Sequence, residues 1–336
     1  MKKSIVWKVL GAAMALSLVF SAFAFADETE AAEGGEVSYE ADVNGDGKII
    51  VGYISKNFTD PFHAPINARA QEYFDQAVED GLIDEWTGLL DGETDPNKQI
   101  DRAADCISKE CDIVIFLPAE AEASDPALTQ MADAGILVIE VNSKSASCDE
   151  KAIAYVGSDD VEAGQMLAQW VVDNCPDGGK YIHCNGVLGN SAQIQRTQGM
   201  HEIMDEHPEF EMVGDFDTKW DGNLAADAAS DSISKYGDEL VAIICDNDGM
   251  SSAAQKMCND SGREDIICVG VDGVEVPLQM VQQGTLKATI LQDGVGQING
   301  AIDIVEKLVK GESFDPAPVI PFVLITKDNV ADYIAE

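Results

Sequence analysis

Asp60 and Phe62 flank Pro61 in the stretch SKNFTDPFHAPI, residues 55–66, and Trp220 stands in DTKWDGNLAA, residues 217–226. A carboxylate beside one aromatic ring, matched by a second ring elsewhere, suits non-covalent recognition of a polyhydroxylated molecule. The C–H faces of a pyranose are apolar and its rim is a belt of hydroxyls. Aromatic rings cover such faces, while carboxylate, amide and guanidinium groups bond the rim. Alone, Trp220 serves equally well as loop packing; its pairing with Phe62 points to the sharper use. Covalent chemistry has little support. His63, His183, His201 and His207 lack metal-ligand spacing, and neither a GxSxG elbow nor a Walker loop is present. The expectation is a binding protein with no catalytic residues, no cofactor and no resident metal.

Two further stretches imitate known sites. DVNGDGKI, residues 42–49, has Asp42, Asn44, Asp46 and Gly47 at the spacing of half a calcium loop, but Tyr53 stands where the closing Glu belongs. It reads as a turn. In LQDGVGQING, Gly294, Gly296 and Gly300 approach a dinucleotide fingerprint, with the third glycine one residue too far along.

The elements that must position Asp60 and Trp220 follow from periodicity. The run IIVGYI before Asp60 reads as a buried strand, and Ile66, Ala70, Phe74, Ala77 and Val78 recur beyond it at helical spacing. The stretch 55–66 is therefore a loop from a strand's end to a helix's start, where open α/β sheets hold ligands. Further strands read at 86–91, 112–117 and 136–141, with helices near 62–80, 95–109 and 122–134. A second series of strands reads at 180–185, 210–216, 240–245, 266–271 and 287–291. Regular alternation predicts parallel sheets covered by helices on both faces, and two series predict two doubly wound lobes. The strand ends TDPF, LPAE, VNSK, CNGV, CDND, GVDG and LQDG are polar one after another, as a cleft between facing lobes requires.

Length and charge narrow the setting. The 336 residues suffice for two domains with their own cores. With 21 Lys+Arg against 61 Asp+Glu, the formal charge of −40 repels phosphate backbones and anionic lipids, which excludes nucleic acid as a partner. Residues 1–26 join Lys2 and Lys3 to an apolar centre and the small residues Ala24 and Ala26, predicting a secretory signal cleaved after Ala26; the alternative is a retained anchor. Either way the protein works outside the cytoplasm, in the periplasm or at the cell surface. Residues 27–47 are acidic and nearly without apolar periodicity, and read as a flexible tether. Of eight cysteines, Cys184, Cys245 and Cys268 lie in apolar strand-like runs as small hydrophobes. Cys106 with Cys111, and Cys175 with Cys184, are near enough in sequence to pair.

In this order the motifs resemble the periplasmic sugar-binding proteins of ABC transporters, of the ribose and galactose/glucose type, from about Lys48 to the C-terminus. The resemblance implies a sugar-bonding Asp60 and a stacking Phe62 in DPF, and cleft positions Asn142 and Ser143 in VIEVNSK. It implies the binding arginine at Arg196 in GNSAQIQRTQGM, and the second aromatic face at Trp220 in KWDGN. Hydroxyl-bonding positions fall on Asn247 in CDNDG, Asp272 in VGVDG and Gln292 in ATILQ. Asp60, Asn142, Arg196, Trp220 and Asn247 stand nearer the galactose/glucose pattern. Where that pattern has Lys this chain has Ser143, and where it has His and Asp it has Asn190 and Ala192. Pentoses, hexoses and cyclic polyols stay open. The resemblance further implies a three-crossing hinge near 157–159, 292–293 and 320–323, dividing the chain into a lobe of 48–158 with 293–322 and a lobe of 159–292 with 323–336. Its implied partners are a neutral monosaccharide or polyol and the subunits of an ABC permease. A chemoreceptor or sensor, and an enzyme on the same scaffold, are the rival readings.

Overall fold

The computed structural model describes residues 35–334. The expected signal, its cleavage point and the start of the expected tether lie outside the described residues. The first half of the fold opens with β1 (Ile50–Ser55), α1 (His63–Glu79), β2 (Glu85–Asp91), α2 (Pro96–Ser108) and β3 (Ile113–Phe116). It continues with α3 (Ala121–Asp133), β4 (Leu137–Val141), α4 (Cys148–Lys151) and β5 (Ala154–Val156). The five strands form one parallel sheet in the order β2-β1-β3-β4-β5. Alternate residues of β1 explain its continuous apolar run: Val51 and Tyr53 pack with Ile66, Ala70 and Phe74 of α1, while Ile54 packs with Ala103 of α2 and Leu128 of α3. Each such large side chain removed from water stabilises the fold by roughly 1.5–3 kcal/mol.

The second half repeats the plan. It comprises α5 (Asp160–Asn174), β6 (Gly179–Asn185), α6 (Ser191–Met204), β7 (Phe210–Asp217), α7 (Gly222–Tyr236), β8 (Leu240–Cys245), α8 (Asp248–Asp260) and β9 (Ile267–Val269). Then follow β10 (Val271–Asp272), α9 (Glu275–Gln283), β11 (Ala288–Leu291), α10 (Gly294–Lys310) and β12 (Val323–Thr326). Strands pair as β7-β6-β8-β9, and as β10-β11-β12 with β12 antiparallel. The break between β9 and β10 is one residue, Gly270, whose carbonyl accepts from Ile290 N. Helices α5 and α6 cover one face through Leu167, Val171 and Met200, and α7 and α8 cover the other through Ala225, Ala229 and Ala254.

One helix changes sides. Ile298, Ala301, Ile302 and Val305 of α10 join the core of the first sheet, although α10 runs between β11 and β12 of the second. With the passage from β5 to α5, the chain crosses between the halves three times. Two doubly wound parallel-sheet lobes result, as expected from the alternation. Strands β5 and β12 are additions to the expected list; β5 is only three residues long, and β12 follows Pro321 in the run VIPFVLIT, where the proline argues against a strand.

Several local expectations meet a definite answer. Val37 and Phe314 exchange backbone hydrogen bonds at 2.9 Å, and Val43 N donates to Asp112 Oδ1. The described part of the expected tether is thus held on the first half. In the calcium-like stretch, Asp42 accepts from the amides of Gly45 and Gly47 and Asp46 Oδ1 accepts from Lys48 N, so the carboxylates close a turn. Asp293 caps α10 by accepting from Gly296 N, and Gly300 packs on Val156. All eight cysteines are free thiols. Cys184 faces Cys245 across paired strands in the α7–α8 core, and Cys175 packs into the core on the other face, so that pair does not form.

Candidate functional site

The C-terminal ends of the strands of both halves converge on one polar cavity. All ten residues expected from the sequence line it. Asp60 and Phe62 come from the loop after β1, Asn142 and Ser143 from the end of β4, and Asn190 and Arg196 from the start of α6. Trp220 precedes α7, Asn247 caps α8, Asp272 ends β10, and Gln292 follows β11. Lys56, His63 and Ala192 complete the wall. The cavity adjoins a wider, largely apolar mouth lined by Pro61, Val274, Val276, Pro277 and Met280.

Two glycines seat the two aromatic rings. A Cβ at Gly186 would lie 2.1 Å from the Trp220 ring, and one at Gly294 would lie 2.9 Å from Phe62 Cζ. Either methyl would drive its ring off the wall. Backbone strain is concentrated here as well. Asn142 (φ 70°), Trp220 (φ 65°) and Asp272 (φ 149°) occupy conformations that non-glycine residues rarely adopt. Each costs on the order of 1–3 kcal/mol and persists only where the surroundings enforce it, a habit of ligand sites.

The loop of Asp60 is built by Asn57, whose Oδ1 accepts from the amides of Thr59 and Asp60. Asp60 Oδ1 in turn accepts from Phe62 N at 2.8 Å, and Oδ2 lies 3.3 Å from His63 Nδ1. Burial pushes the Asp60 carboxyl up, but His63 and Lys56 outweigh it, and its pKa falls well below the ordinary carboxylate range. Asp60 is therefore ionised at neutral pH. His63 is pushed down by burial against the pull of Asp60, and neither ring nitrogen has an aligned partner. Asp272 behaves oppositely. Burial, with Asp248 and Asp60 nearby, pushes it far above its ordinary value.

Arg196 is wired before any ligand arrives. Its Nε donates to Asp160 Oδ1 at 2.9 Å and Nη2 lies 2.8 Å from the same oxygen. Nη1 donates to the Asp246 carbonyl, and Nη2 to Gln292 Oε1 at 3.1 Å. Asp246 continues the network: its Oδ1 lies 3.0 Å from Nε2 of the buried His183, whose Nδ1 lies 3.1 Å from Asp215. Burial opposes a charge on His183, yet the two carboxylates win and raise its pKa to about 10, so the imidazole is held as imidazolium. The same reach leaves Gln292 Nε2 buried without a partner on the cavity wall, as is Trp220 Nε1. Such orphaned donors are uncommon in folded proteins and call for an acceptor.

Hydrogen bonds also tie the two halves directly along one rim. Ala121 N donates to Gly189 O at 2.9 Å, and Lys144 N to Ser191 Oγ at 2.8 Å. Asn190 Nδ2 donates to Ala119 O at 2.9 Å and to Ser143 Oγ at 3.3 Å, while its Oδ1 accepts from Ala192 N at 3.0 Å. Asn190 is on the wall, but both of its amide protons are taken. Its geometry is that of a clasp between the halves, not of a donor facing the cavity. Lys56 and His63 were not among the expected residues. Their only signal was membership of the Asp60 loop, SKNFTDPFH.

Residues 51–313 match the family described as periplasmic binding protein domain. The chain belongs to this family. Among curated relatives, it is 30% identical over 252 residues to a putative rhizopine-binding protein of Rhizobium meliloti, covering 73% of this chain and 81% of that one. It is 28% identical over 236 residues to a xylitol-binding protein of Mycolicibacterium smegmatis, covering 70% and 67%. Among solved structures, it is similar to an ABC transporter solute-binding protein from Bacillus halodurans with bound myo-inositol, at 26% identity and a TM-score of 0.79, covering 86% of this chain and 98% of that one. A Caulobacter myo-inositol-binding protein shares the fold at 23% identity and a TM-score of 0.76, covering 89% and 98%.

Proposed function

We propose that this chain is the exported binding component of an ABC importer, and that it closes around a neutral monosaccharide or polyol without altering it. The observation that carries the reading is the mixed character of one cavity. Phe62 and Trp220 supply apolar faces, Gln292 Nε2 supplies an unpartnered donor, and Asp60 supplies an ionised acceptor. A hydroxyl both donates and accepts, so a polyol answers every one of these groups at once. Asn247 fits the same role: its Oδ1 caps Met250 N, which leaves the amide protons for a ligand. The relatives named for xylitol and myo-inositol support the class. Export and docking to a permease rest on family membership and on the N-terminal segment.

Closure fits a hinge at 157–159, 292–293 and 320–323, dividing the chain into 48–158 with 293–322 and 159–292 with 323–336. The strands of the hinge are in contact: Gly157 bridges Val319, and Ile320 N donates to Gly157 O at 2.8 Å. Such narrow connections let two rigid bodies rotate about few backbone angles.

Isothermal titration with xylitol, ribose, myo-inositol, galactose and galacturonate tests the reading. Binding of a neutral member, with the ligand recovered unchanged, is expected. Galacturonate should bind more weakly than galactose wherever galactose binds, because its carboxylate has no proton to give the ionised Asp60 and brings a second negative charge beside it. Preference for the acid would overturn the assignment.

A further inference from the structure

Glu140 is fully buried on β4, the one charged residue in the run LVIEV. Its side chain reaches the turn that follows the strand, and both oxygens serve one residue there. Oε2 accepts from Ser145 N at 2.8 Å, and Oε1 meets Ser145 Oγ. Ser145 stands between two residues that link the halves. Before it, Lys144 N donates to Ser191 Oγ. After it, Ala146 N donates to Ala121 O at 2.9 Å, and Ala121 N donates to Gly189 O. The same turn begins with Asn142 and Ser143 on the cavity wall. One carboxyl thus fixes a segment that both lines the cavity and ties the halves together.

No cation balances that carboxyl. Among the described residues no ion pair engages Glu140, and Lys144, the base of the turn, places its Nζ 2.8 Å from Asp149 instead. The titratable groups around it are Asp125 of α3, the Cys148 thiol of α4 and Tyr155 of β5, while Phe116 pairs with it from β3. A buried carboxylate without a cation is costly and the neutral acid is not. Burial accordingly raises this carboxyl to about 7, against the pull of Ser145 and Cys148. The neutral acid suits the geometry, since its O–H can donate to Ser145 Oγ while Oε2 still accepts from Ser145 N. The anion gains more from water, which reaches it only when the turn loosens.

We propose, building on the polyol reading, that Glu140 is a positioning residue worked by a proton. As the neutral acid it holds the turn 142–147 and its links to the second half in the closed arrangement; its ionisation loosens the turn and lets the ligand go. A carboxyl raised in the closed form supports closure at low pH, and that support is lost as pH rises through 7. Capture is therefore favoured on the acid side and release on the alkaline side.

The test compares parent, Glu140→Gln and Ser145→Ala by titration calorimetry across neutral pH, with whichever of xylitol, ribose and myo-inositol binds the parent. Parent affinity should fall roughly 3- to 10-fold between pH 6 and pH 8. Glu140→Gln keeps the shape of the neutral acid, its amide donating to Ser145 Oγ and its oxygen accepting from Ser145 N. It should bind as the parent does at pH 6 and show no such fall. Ser145→Ala removes a donor that favours the anion, so the midpoint of the fall should move to higher pH. Hydrogen exchange reads the turn without ligand: at pH 8 the amides of residues 144–146 should exchange roughly threefold faster or more in the parent than in Glu140→Gln, and at equal rates at pH 6. A purely structural glutamate would weaken binding in the variant at every pH and leave the profile's shape alone. A flat parent profile, the same fall in Glu140→Gln, a midpoint unmoved in Ser145→Ala, or equal exchange at pH 8 overturns the assignment. Failure of the parent to bind any neutral probe overturns the polyol reading, and the exchange comparison then decides the role of Glu140 separately.

Discussion

Arg196 and Lys56 enter one cavity from opposite halves, and they arrive in opposite states. Arg196 comes with its guanidinium engaged by Asp160, Asp246 and Gln292, and behind Asp246 stand His183 and Asp215. Lys56 comes with no hydrogen-bond or ion-pair partner among the described residues, its Nζ over the Trp220 ring, beside an Asp60 that touches only local partners. The second half holds Arg196 in place whether or not a ligand is there, while its Gln292 Nε2 and Trp220 Nε1 stay without an acceptor. The first half carries groups that only a ligand completes. A binding protein gains from such a division. A preorganised Arg196 lowers the ordering cost of association, and unanswered groups on both walls make the response depend on ligand identity.

The largest test of that contrast is stability without ligand. Replacing Arg196 with Ala leaves Asp160 buried and uncompensated, and should destabilise the fold by about 3–5 kcal/mol in denaturant titration. Lys56→Met should change stability by no more than about 1 kcal/mol. Equal losses in the two variants would erase the distinction.

Proton linkage separates the halves next. His183, raised to about 10, contributes stability that is fully present below pH 6.5 and lost as pH rises through 10. Glu140 on β4, raised by burial to about 7 although Ser145 pulls it down, contributes stability present below pH 4.5 and lost as pH rises through 7. Both groups bind protons on folding, in different windows. Stability curves of His183→Gln and Glu140→Gln against the parent should therefore diverge at pH 6.5–10 and pH 4.5–7 respectively, each by a few kcal/mol. A single shared window would mean that the two networks are not independent.

Smaller effects probe the walls. Trp220→Ala removes a stacking face and should weaken ligand binding by about 2 kcal/mol, about 30-fold, with the parent's intrinsic fluorescence responding to ligand. Asn190→Ala should weaken every ligand by about the same amount, near 1 kcal/mol, through faster release. An Asn190 variant that discriminated among ligands would return that residue from the clasp to the binding set.

The parallel strands and the polar residues at their ends were legible because buried strands read as apolar runs and each ends in a short loop. The family resemblance then turned those ends, with Arg196 and Trp220 beyond them, into one list of residues, all of which line the cavity. Lys56 was not legible, since a loop lysine ordinarily extends into water; its burial comes from Trp220, more than 160 positions away. The clasp role of Asn190 depends on Ala119 and Ser143, and the attachment of Val37 depends on Phe314. Such partners meet only in three dimensions, and periodicity carries no trace of them. Polar character at a strand end locates a wall but does not say which groups on it are already satisfied.

The unusual dihedrals at Asn142, Trp220 and Asp272 bear on how this scaffold can be re-engineered. At Asn142, with φ 70°, a left-handed backbone admits Asn, Asp and Gly readily, whereas β-branched residues would unfold the loop before they altered selectivity. Asp272, at φ 149°, is narrower still, a conformation in which glycine is the natural replacement. Libraries aimed at a new ligand would do better to hold these positions and randomise Lys56, Ser143 and Gln292, where the main chain imposes no such restriction. The evolvable part of the pocket is thus smaller than its perimeter, and it is set by the backbone.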